Sequence, residues 1–587
     1  MADTFARAGG VDAEAVTRRG LVGRVDGRRD ARMVIQALSR HRWLLAALAA
    51  GVALPLIVAV VTGGLSIPHN DGWAYSRIAA HFARTGDVDL VGWNRSALIG
   101  QFALLGPLAA SVAVQQTFVV VLALVGLVCV YDLLIRSLGP RNAGIATLML
   151  ALWPGFGLLD TSFITDVPAL AAMFLCLAVG RRALARDSLA LFGLAMTAGF
   201  WGTTIRAQAL AAPAALLLHA AFTRHLRVRV RLLAAGTCAV TFAVGFAVFN
   251  SWFEGLPGGD LPPYRLVASP LGTAVWTTLQ SYFTVALPAA PAVLWTARPR
   301  SWGRAARYTA LITAAVSLVA VHHFRKGLFP GNYLAQEGSY AHASVSVSTV
   351  LPDQLWFLLS GIALASGSLL AGLIVHKARK ADKLVALFTV TFTAGTIGTF
   401  LLGELVYDRY LIEMLPGVLA VALVPEPISF LAQRSAVTSV TGGVPAAPSR
   451  RSPAPAVWAR RISALTAGLV VAGVGLILLT DALTSDERQW NSAAALQASG
   501  VPAMRIDAGL DWLGFHDSGS VINRSPAVAD RPLGYFTDQP ACYVVSEAPE
   551  TAQRRWSLTE VTEFRHYLLA GTAHEFIYAT HAAGCPG

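Results

Sequence analysis

Two aspartates stand where long apolar runs meet short polar segments, the place where a carboxylate is either a helix cap or a chemical tool. Asp71 lies in SIPHNDGWAYSRIAAHFARTGDVDL, directly after one apolar run, and Asp166 lies in SFITDVPAL at the head of another. As caps they would accept an orphan backbone N–H at a helix start, and Pro168 fits such a first turn. Yet a carboxylate that drifts to a bilayer centre costs about 2.5–3.5 kcal/mol. Two on the same side of the chain's alternation are harder to dismiss than one.

Cations accompany them. GTTIRAQAL carries Arg206 between two apolar runs, and GELVYDRYLIEMLP brings Glu404, Asp408, Arg409 and Tyr410 between two more. An arginine there either binds an anion such as phosphate through its fork of N–H donors, or, for Arg409, merely pairs with Asp408 or Glu404. The segment from His322 to Ser344, HHFRKGLFPGNYLAQEGSYAHAS, adds Arg325 and Lys326 and is long enough for a lid. His322 and His323 are adjacent, a poor spacing for metal ligands, and are expected to be structural or interfacial. Asp87-Val88-Asp89 matches a metal-binding pattern of nucleotide-sugar enzymes but falls on the side without nucleotides.

The elements that must position these groups follow from composition. The chain has 587 residues, 55% hydrophobic and only 14% charged, with a mean hydropathy of +0.55. A soluble protein carries closer to about a quarter charged residues. About 20 apolar residues cross a hydrocarbon core, and about 13 spans are expected: 43–64, 112–136, 142–159, 166–182, 188–205, 207–222, 231–253, 273–296, 306–323, 355–375, 383–403, 409–431 and 461–481. With the N-terminus inside, the clusters RSLGPRN, RRALAR, TRHLRVRVR, RPRSWGRAAR, HKARKADK and SRRSPAPAVWARR all fall in the cytoplasm, as inside-positive loops do. The net charge of +12 therefore belongs to topology and not to nucleic acid. All the candidate residues fall on the other side.

The expected organisation is a basic cytoplasmic segment (1–42), a transmembrane core (43–432), a flexible Pro/Ser-rich linker (433–460), a last membrane helix (461–483) and an extracytoplasmic α/β domain (484–587). That domain carries strand-like CYVVSEA and EFIYATH and a helical stretch from Arg488 to Ser499. Cys542 and Cys585 lie there and are either bridged or free. From Gly72 to Arg84 the pattern predicts a short amphipathic helix on the outer membrane surface. Tyr75, Ile78, Ala79 and Phe82 form one face, Ser76, Arg77, His81 and Arg84 the other, and Thr85-Gly86 stops it.

From Trp43 to Phe430 the chain resembles the GT-C glycosyltransferases of the protein mannosyltransferase and aminoarabinose transferase type (glycosyltransferase family 39). Four features carry the resemblance: NDGWAYSRIAAHFARTGD in a long first outer loop, TDVP opening the fourth span, an Arg just after the fifth, and a late DRYLIEMLP. Relatives often follow the first aspartate with an acidic residue, where this chain has Gly72.

The resemblance implies an all-α polytopic enzyme of a bacterial plasma membrane, with cytoplasmic N-terminus and extracytoplasmic C-terminus. It would transfer a hexose or pentose from a polyprenyl-phosphate donor to an acceptor glycan, lipid or protein. Asp71 would be the catalytic base, giving inversion, with Asp166 positioning the donor or acceptor. Arg206, Lys326 and Arg409 would bind the donor phosphate, and His69, Tyr75, Glu404 and Tyr410 would contact substrate. No metal ligands are assigned, and a divalent metal is left open. The rival from another class is a transporter or flippase for a lipid-linked or anionic substrate, which would place its ionisable groups nearer the midplane.

Overall fold

The structure, a computed structural model, describes residues 39–91, 99–222, 228–257, 270–324, 327–340, 349–401, 406–425, 455–517, 540–547, 549, 556–565, 568, 572–580 and 585. Lys326, Glu404, most of the basic N-terminal segment and most of the expected linker lie outside the described residues. The chain divides into two units, Met1–Arg42 and Trp43–Gly587; apart from residues 39–42 of the first helix, the described residues belong to the second.

Among the described residues, eight helices are long and apolar enough to cross a membrane, not 13: Ser39–Val61, Val112–Ala151, Asp166–Arg186, Ala235–Glu254, Arg304–His323, Asp353–Lys380, Lys383–Leu401 and Val457–Ala498. The difference has local causes. The stretch Val112–Ala151 counts once but holds two helices, as the expected spans 112–136 and 142–159 have it: they meet at a kink where Gly139 is non-helical at φ +75° and Pro140 cannot continue the hydrogen-bond ladder. Spans 188–205 and 207–222 give the shorter apolar helices Leu189–Ile205 and Ala207–Phe222. The span 409–431 opens instead with a 3₁₀ turn, Asp408–Met414, and the eight-residue helix Leu415–Ala422.

The helix Asp166–Arg186 packs against Val112–Ala151 and against Leu189–Ile205. Small residues set the approach. A Cβ on Gly126 would lie 2.9 Å from Leu170, and one on Gly202 would lie 2.8 Å from Ala172. Close backbone packing of this kind holds helices together where lipid removes the hydrophobic drive. It also fixes the N-terminal end of that helix, which carries Asp166.

The last apolar helix is longer than its membrane span. It runs without interruption from Pro455 to Ala498, 44 residues, about 66 Å at 1.5 Å per residue. It starts inside the expected linker and absorbs the helical stretch expected from Arg488. Beyond it lies a four-stranded sheet of order β1-β2-β4-β3, with β1 Ile506–Asp507, β2 Tyr543–Ser546, β3 Ser557–Arg565 and β4 Thr572–Ala579. β1 runs parallel to β2, and β4 is antiparallel to both β2 and β3. The strand-like CYVVSEA and EFIYATH supply β2 and β4. A disulfide joins Cys542 to Cys585. A helix, Gly509–His516, connects this sheet to the rest of the protein.

Candidate active site

Asp71 occupies the N-cap position of the helix Gly72–Thr85, and its side chain makes no cap hydrogen bond. Its Oδ2 instead accepts from Arg409 Nη2 at 2.8 Å, across 338 residues of sequence. Asp166 behaves the same way. It is the first residue of its helix, whose N-cap Thr165 also leaves the N–H groups without a side-chain partner, and its Oδ1 accepts from Arg206 Nη1. Both carboxylates forgo the capping bond that sequence made the plain alternative. Each takes a guanidinium instead.

The two pairs share one aromatic ring. Arg206 lies over Tyr410 with its guanidinium carbon 4.3 Å from the ring centroid, and Arg409 is 5.3 Å from the same centroid. Arg409 also lies 5.8 Å from Tyr407 and 5.9 Å from Tyr333. Aromatic faces attract a cation within about 6 Å and do so more strongly when water is excluded. Both arginines are buried, at 6% and 7% exposure, so this cage replaces part of their lost hydration. Arg206 Nε donates to Gln208 Oε1 at 3.1 Å. The buried Nε of Arg409 has no hydrogen-bond partner among the described residues, which leaves a donor on a buried cation for an incoming acceptor.

Asp408 does not pair with Arg409 through its side chain, the alternative that the sequence left open. Its carboxylate accepts the amides of Tyr333 at 3.0 Å, Leu334, and Arg409 itself at 2.6 Å. It thereby fastens the loop 327–340 over the site and brings Tyr333 to Arg409. The segment expected as a lid is thus tied near its middle by a buried carboxylate.

Tyr75 is buried among Asp71, Asp166, Arg409 and Tyr410, and burial first, then the charge of Asp71, pushes its phenol well above the ordinary tyrosine range. It stays a neutral donor. His69 is fully buried and engaged at both nitrogens: Nδ1 lies 2.5 Å from Asp486 Oδ2 and Nε2 lies 2.7 Å from the Gly64 carbonyl. It presents neither nitrogen to a substrate.

The helix Gly72–Thr85 is not the surface-lying amphipath expected. Trp73, Ala74, Tyr75, Ser76, Ile78 and Ala79 are all buried, from both predicted faces. The C-terminal helix covers the second face: Arg77 Nη1 donates to the Gly514 carbonyl at 2.9 Å. Periodicity alone could not show that a distant domain would lie there.

Six of the nine expected residues therefore meet: Asp71, Tyr75, Asp166, Arg206, Arg409 and Tyr410, the ring between the cations. His69 lies beside them in a structural role, and Lys326 and Glu404 are outside the described residues. Sequence reasoning missed Tyr333, Tyr407 and Glu413. Glu413 is 1% exposed and its Oε2 has no hydrogen-bond partner among the described residues. Its i+3 spacing from Tyr410 in a 3₁₀ turn, where such residues eclipse, was the available signal. Among the described residues no three His, Cys, Asp or Glu side chains gather as a metal site.

No family model matches the chain, and no curated protein does. Solved structures do. ArnT from Cupriavidus metallidurans is similar both in its apo state, at a TM-score of 0.41, and bound to undecaprenyl phosphate, at 0.40. Each comparison gives 14% identity and covers 91% of this chain and 98% of that one. An oligosaccharyltransferase from Archaeoglobus fulgidus tethered with an acceptor peptide is similar at a TM-score of 0.36 and 12% identity, over 86% of this chain and 62% of that one. ArnT and the oligosaccharyltransferase are GT-C glycosyltransferases, the class that the sequence resembles. At these identities and scores no residue's role passes from them to this chain.

Proposed function

We propose that the protein is a membrane glycosyltransferase that moves a monosaccharide from a polyprenyl-phosphate donor to an acceptor hydroxyl, with inversion. The observation that supports this most is the pair of buried Arg–Asp contacts wrapped around Tyr410, in which two helix-start carboxylates turn away from the backbone. Arg409 and Arg206 hold the donor phosphate. The spare Nε–H of Arg409 is one point of attachment, and fixed cations in a dry site stabilise a departing phosphate without reorganisation. Lys326 is proposed as a third phosphate ligand, and Glu404 and Tyr410 as contacts to the substrate.

Phosphate at Arg409 competes with Asp71 for the same guanidinium. As donor binds, the Asp71 carboxylate is released toward the acceptor. It takes the proton from the acceptor hydroxyl while that oxygen bonds to the anomeric carbon. The bond from that carbon to the phosphate oxygen breaks, and its electron pair leaves with the phosphate. Asp166 keeps Arg206 oriented, and the neutral Tyr75 hydroxyl donates to the reacting groups.

Transfer from polyprenyl-phosphate-linked hexoses and pentoses, assayed in membranes, tests this. Asp71→Asn should lower transfer by about 10²- to 10⁴-fold, the ordinary contribution of a positioned base, with donor binding kept. Undiminished transfer would remove Asp71 as the base.

A further inference from the structure

The turn that carries Asp71 is held from the far end of the chain. His69, Asn70 and Asp71 form a tight turn in which the Gly72 amide donates to the His69 carbonyl at 2.9 Å. Asn70 sits in the left-handed region at φ +48°, a conformation that asparagine tolerates better than most residues but that still needs support. The support comes from three directions. The Asn70 amide donates to Asp511 Oδ2 at 3.1 Å, across 441 residues. Its side-chain Nδ2 donates to Tyr333 Oη at 3.3 Å. His69 Nδ1 meets Asp486 Oδ2 at 2.5 Å, and Tyr340 Oη donates to that same oxygen at 2.6 Å.

Asp486 lies on the long helix past its membrane stretch, and Asp511 on the helix Gly509–His516. That second helix seats tightly. A Cβ on Gly514 would come within 2.3 Å of the Trp73 indole, Arg77 donates to the Gly514 carbonyl at 2.9 Å, and Arg77 lies 3.8 Å from Asp517. The turn next to the proposed base is therefore fixed by side chains of the C-terminal domain and of the loop 327–340 together.

We propose that Asp486 and Asp511 are positioning residues, through which the C-terminal domain sets the direction of the Asp71 carboxylate. This rests on Asp71 as the base. The two residues touch neither of the arginines at the site. They act through the backbone of His69-Asn70-Asp71, and a base displaced by an ångström loses much of its rate. Burial, with the charges of Asp486 and Asp71 nearby, raises the Asp511 carboxyl well above the usual range. It serves as a neutral hydrogen-bond acceptor, so asparagine can replace it and leucine cannot.

The test uses the full-length protein in detergent micelles with two readouts. Amide exchange by mass spectrometry on peptides covering 66–82 should show protection in the wild type, lost in Asp511→Leu and Asp486→Leu and kept in Asp511→Asn. Transfer from undecaprenyl-phosphate-linked hexoses and pentoses should show kcat lowered about 10- to 100-fold in the leucine variants, donor KM within about 3-fold, and most of the turnover kept in Asp511→Asn. Tyr340→Phe, which removes one hydroxyl and no bulk, should loosen exchange at 66–82 and lower kcat less than the leucine variants do, and it covers the case in which those do not fold. Unchanged exchange and unchanged kcat in Asp511→Leu and Tyr340→Phe overturn the proposal. Loss in Asp511→Asn equal to that in Asp511→Leu also overturns it, because the carboxyl would then be a chemical group. Protection that responds as expected, in a protein whose wild type transfers no sugar from these donors, leaves the clamp standing and removes the glycosyltransferase function instead.

Discussion

Arg206 and Asp166 pair at the first turn of the helix Asp166–Arg186, and Arg181 and Asp382 pair near its other end, about 22 Å away at 1.5 Å per residue. The residue types are the same and the surroundings are not. At the far end Asp382 Oδ1 also accepts the amides of Leu384 and Val385, each at 3.1 Å, and so caps the helix Lys383–Leu401. Arg181 donates to the Leu133 carbonyl as well. Nearby, buried Lys377 donates to the carbonyls of Ala422 and Val424 at 3.3 Å each, and Asn142 to that of Leu423 at 3.1 Å. These polar groups are spent on helix ends, where the backbone would otherwise be orphaned. At the site, neither carboxylate caps, both guanidiniums lie against tyrosines, and one N–H of Arg409 is left over. The test of a membrane-edge ion pair is thus where its remaining hydrogen bonds go. Backbone partners mark scaffold, and aromatic partners with a spare donor mark chemistry.

The sharpest way to break this contrast is to truncate one arginine at each end. Arg409→Ala should lower transfer by about 10²- to 10³-fold, as loss of one transition-state donor does, while Arg181→Ala leaves kcat/KM within about 3-fold. Steady-state assays in membranes measure both. Equal losses would show that the ends do not differ in kind.

The reverse experiment is on stability. Asp382→Ala removes a cap and an ion-pair partner together and should cost about 1–3 kcal/mol, seen as a lower thermal midpoint in detergent with kcat unmoved. A fall in kcat with an unmoved midpoint would place Asp382 in the chemistry.

Tyr410 separates the ends on a finer scale, because among the described residues Arg181 lies over no such ring while Arg206 lies over one at 4.3 Å. Tyr410→Leu should raise donor KM about 2- to 30-fold, from about 0.5–2 kcal/mol of cation–π attraction. Tyr410→Phe keeps the ring and should restore it. Failure of phenylalanine to restore KM would move the role from the ring to the hydroxyl.

What the sequence made legible follows the same divide. The site carboxylates and arginines could be found because a charge beside a long apolar run is costly, so Asp71, Asp166, Arg206 and Arg409 stand out from their neighbours. Tyr333 and Tyr407 could not, since an aromatic residue near a membrane edge is ordinary. His69 stands out in the sequence for its chemistry, yet its nitrogens go to Asp486 and Gly64, partners that no local pattern announces. The helical segments were visible as apolar runs, and so was the break at Gly139-Pro140, but the turn Asp408–Met414 was not, because backbone geometry and not hydropathy decides there. The largest omission was the long helix Pro455–Ala498. Its polar end looked like a separate domain because hydropathy drops there, although the backbone continues.

That polar end supplies the smallest of the expected effects. The far end of the bundle balances its carboxylates with Arg181 and Arg182, whereas the site end sets Glu547 near Asp486 and Glu575. Burial first, then the charges of Asp486 and Glu575, push Glu547 up to about 7 against a hydrogen bond from Ser485 that favours its ionised form. An unfolded glutamic acid titrates near 4.3, so between that pH and about 7 the folded state holds a proton that the unfolded state has lost. The stability from Glu547 is thus complete at low pH, falls as pH rises through this window and is flat above it. Glu547→Gln carries no such proton. Its thermal midpoint should match the wild type near pH 4, exceed it increasingly up to about pH 7, and keep a constant lead beyond. Thermal unfolding followed across this range measures the lead. One that does not vary with pH would mean that the Ser485 hydroxyl, and not a held proton, ties β2 to the long helix.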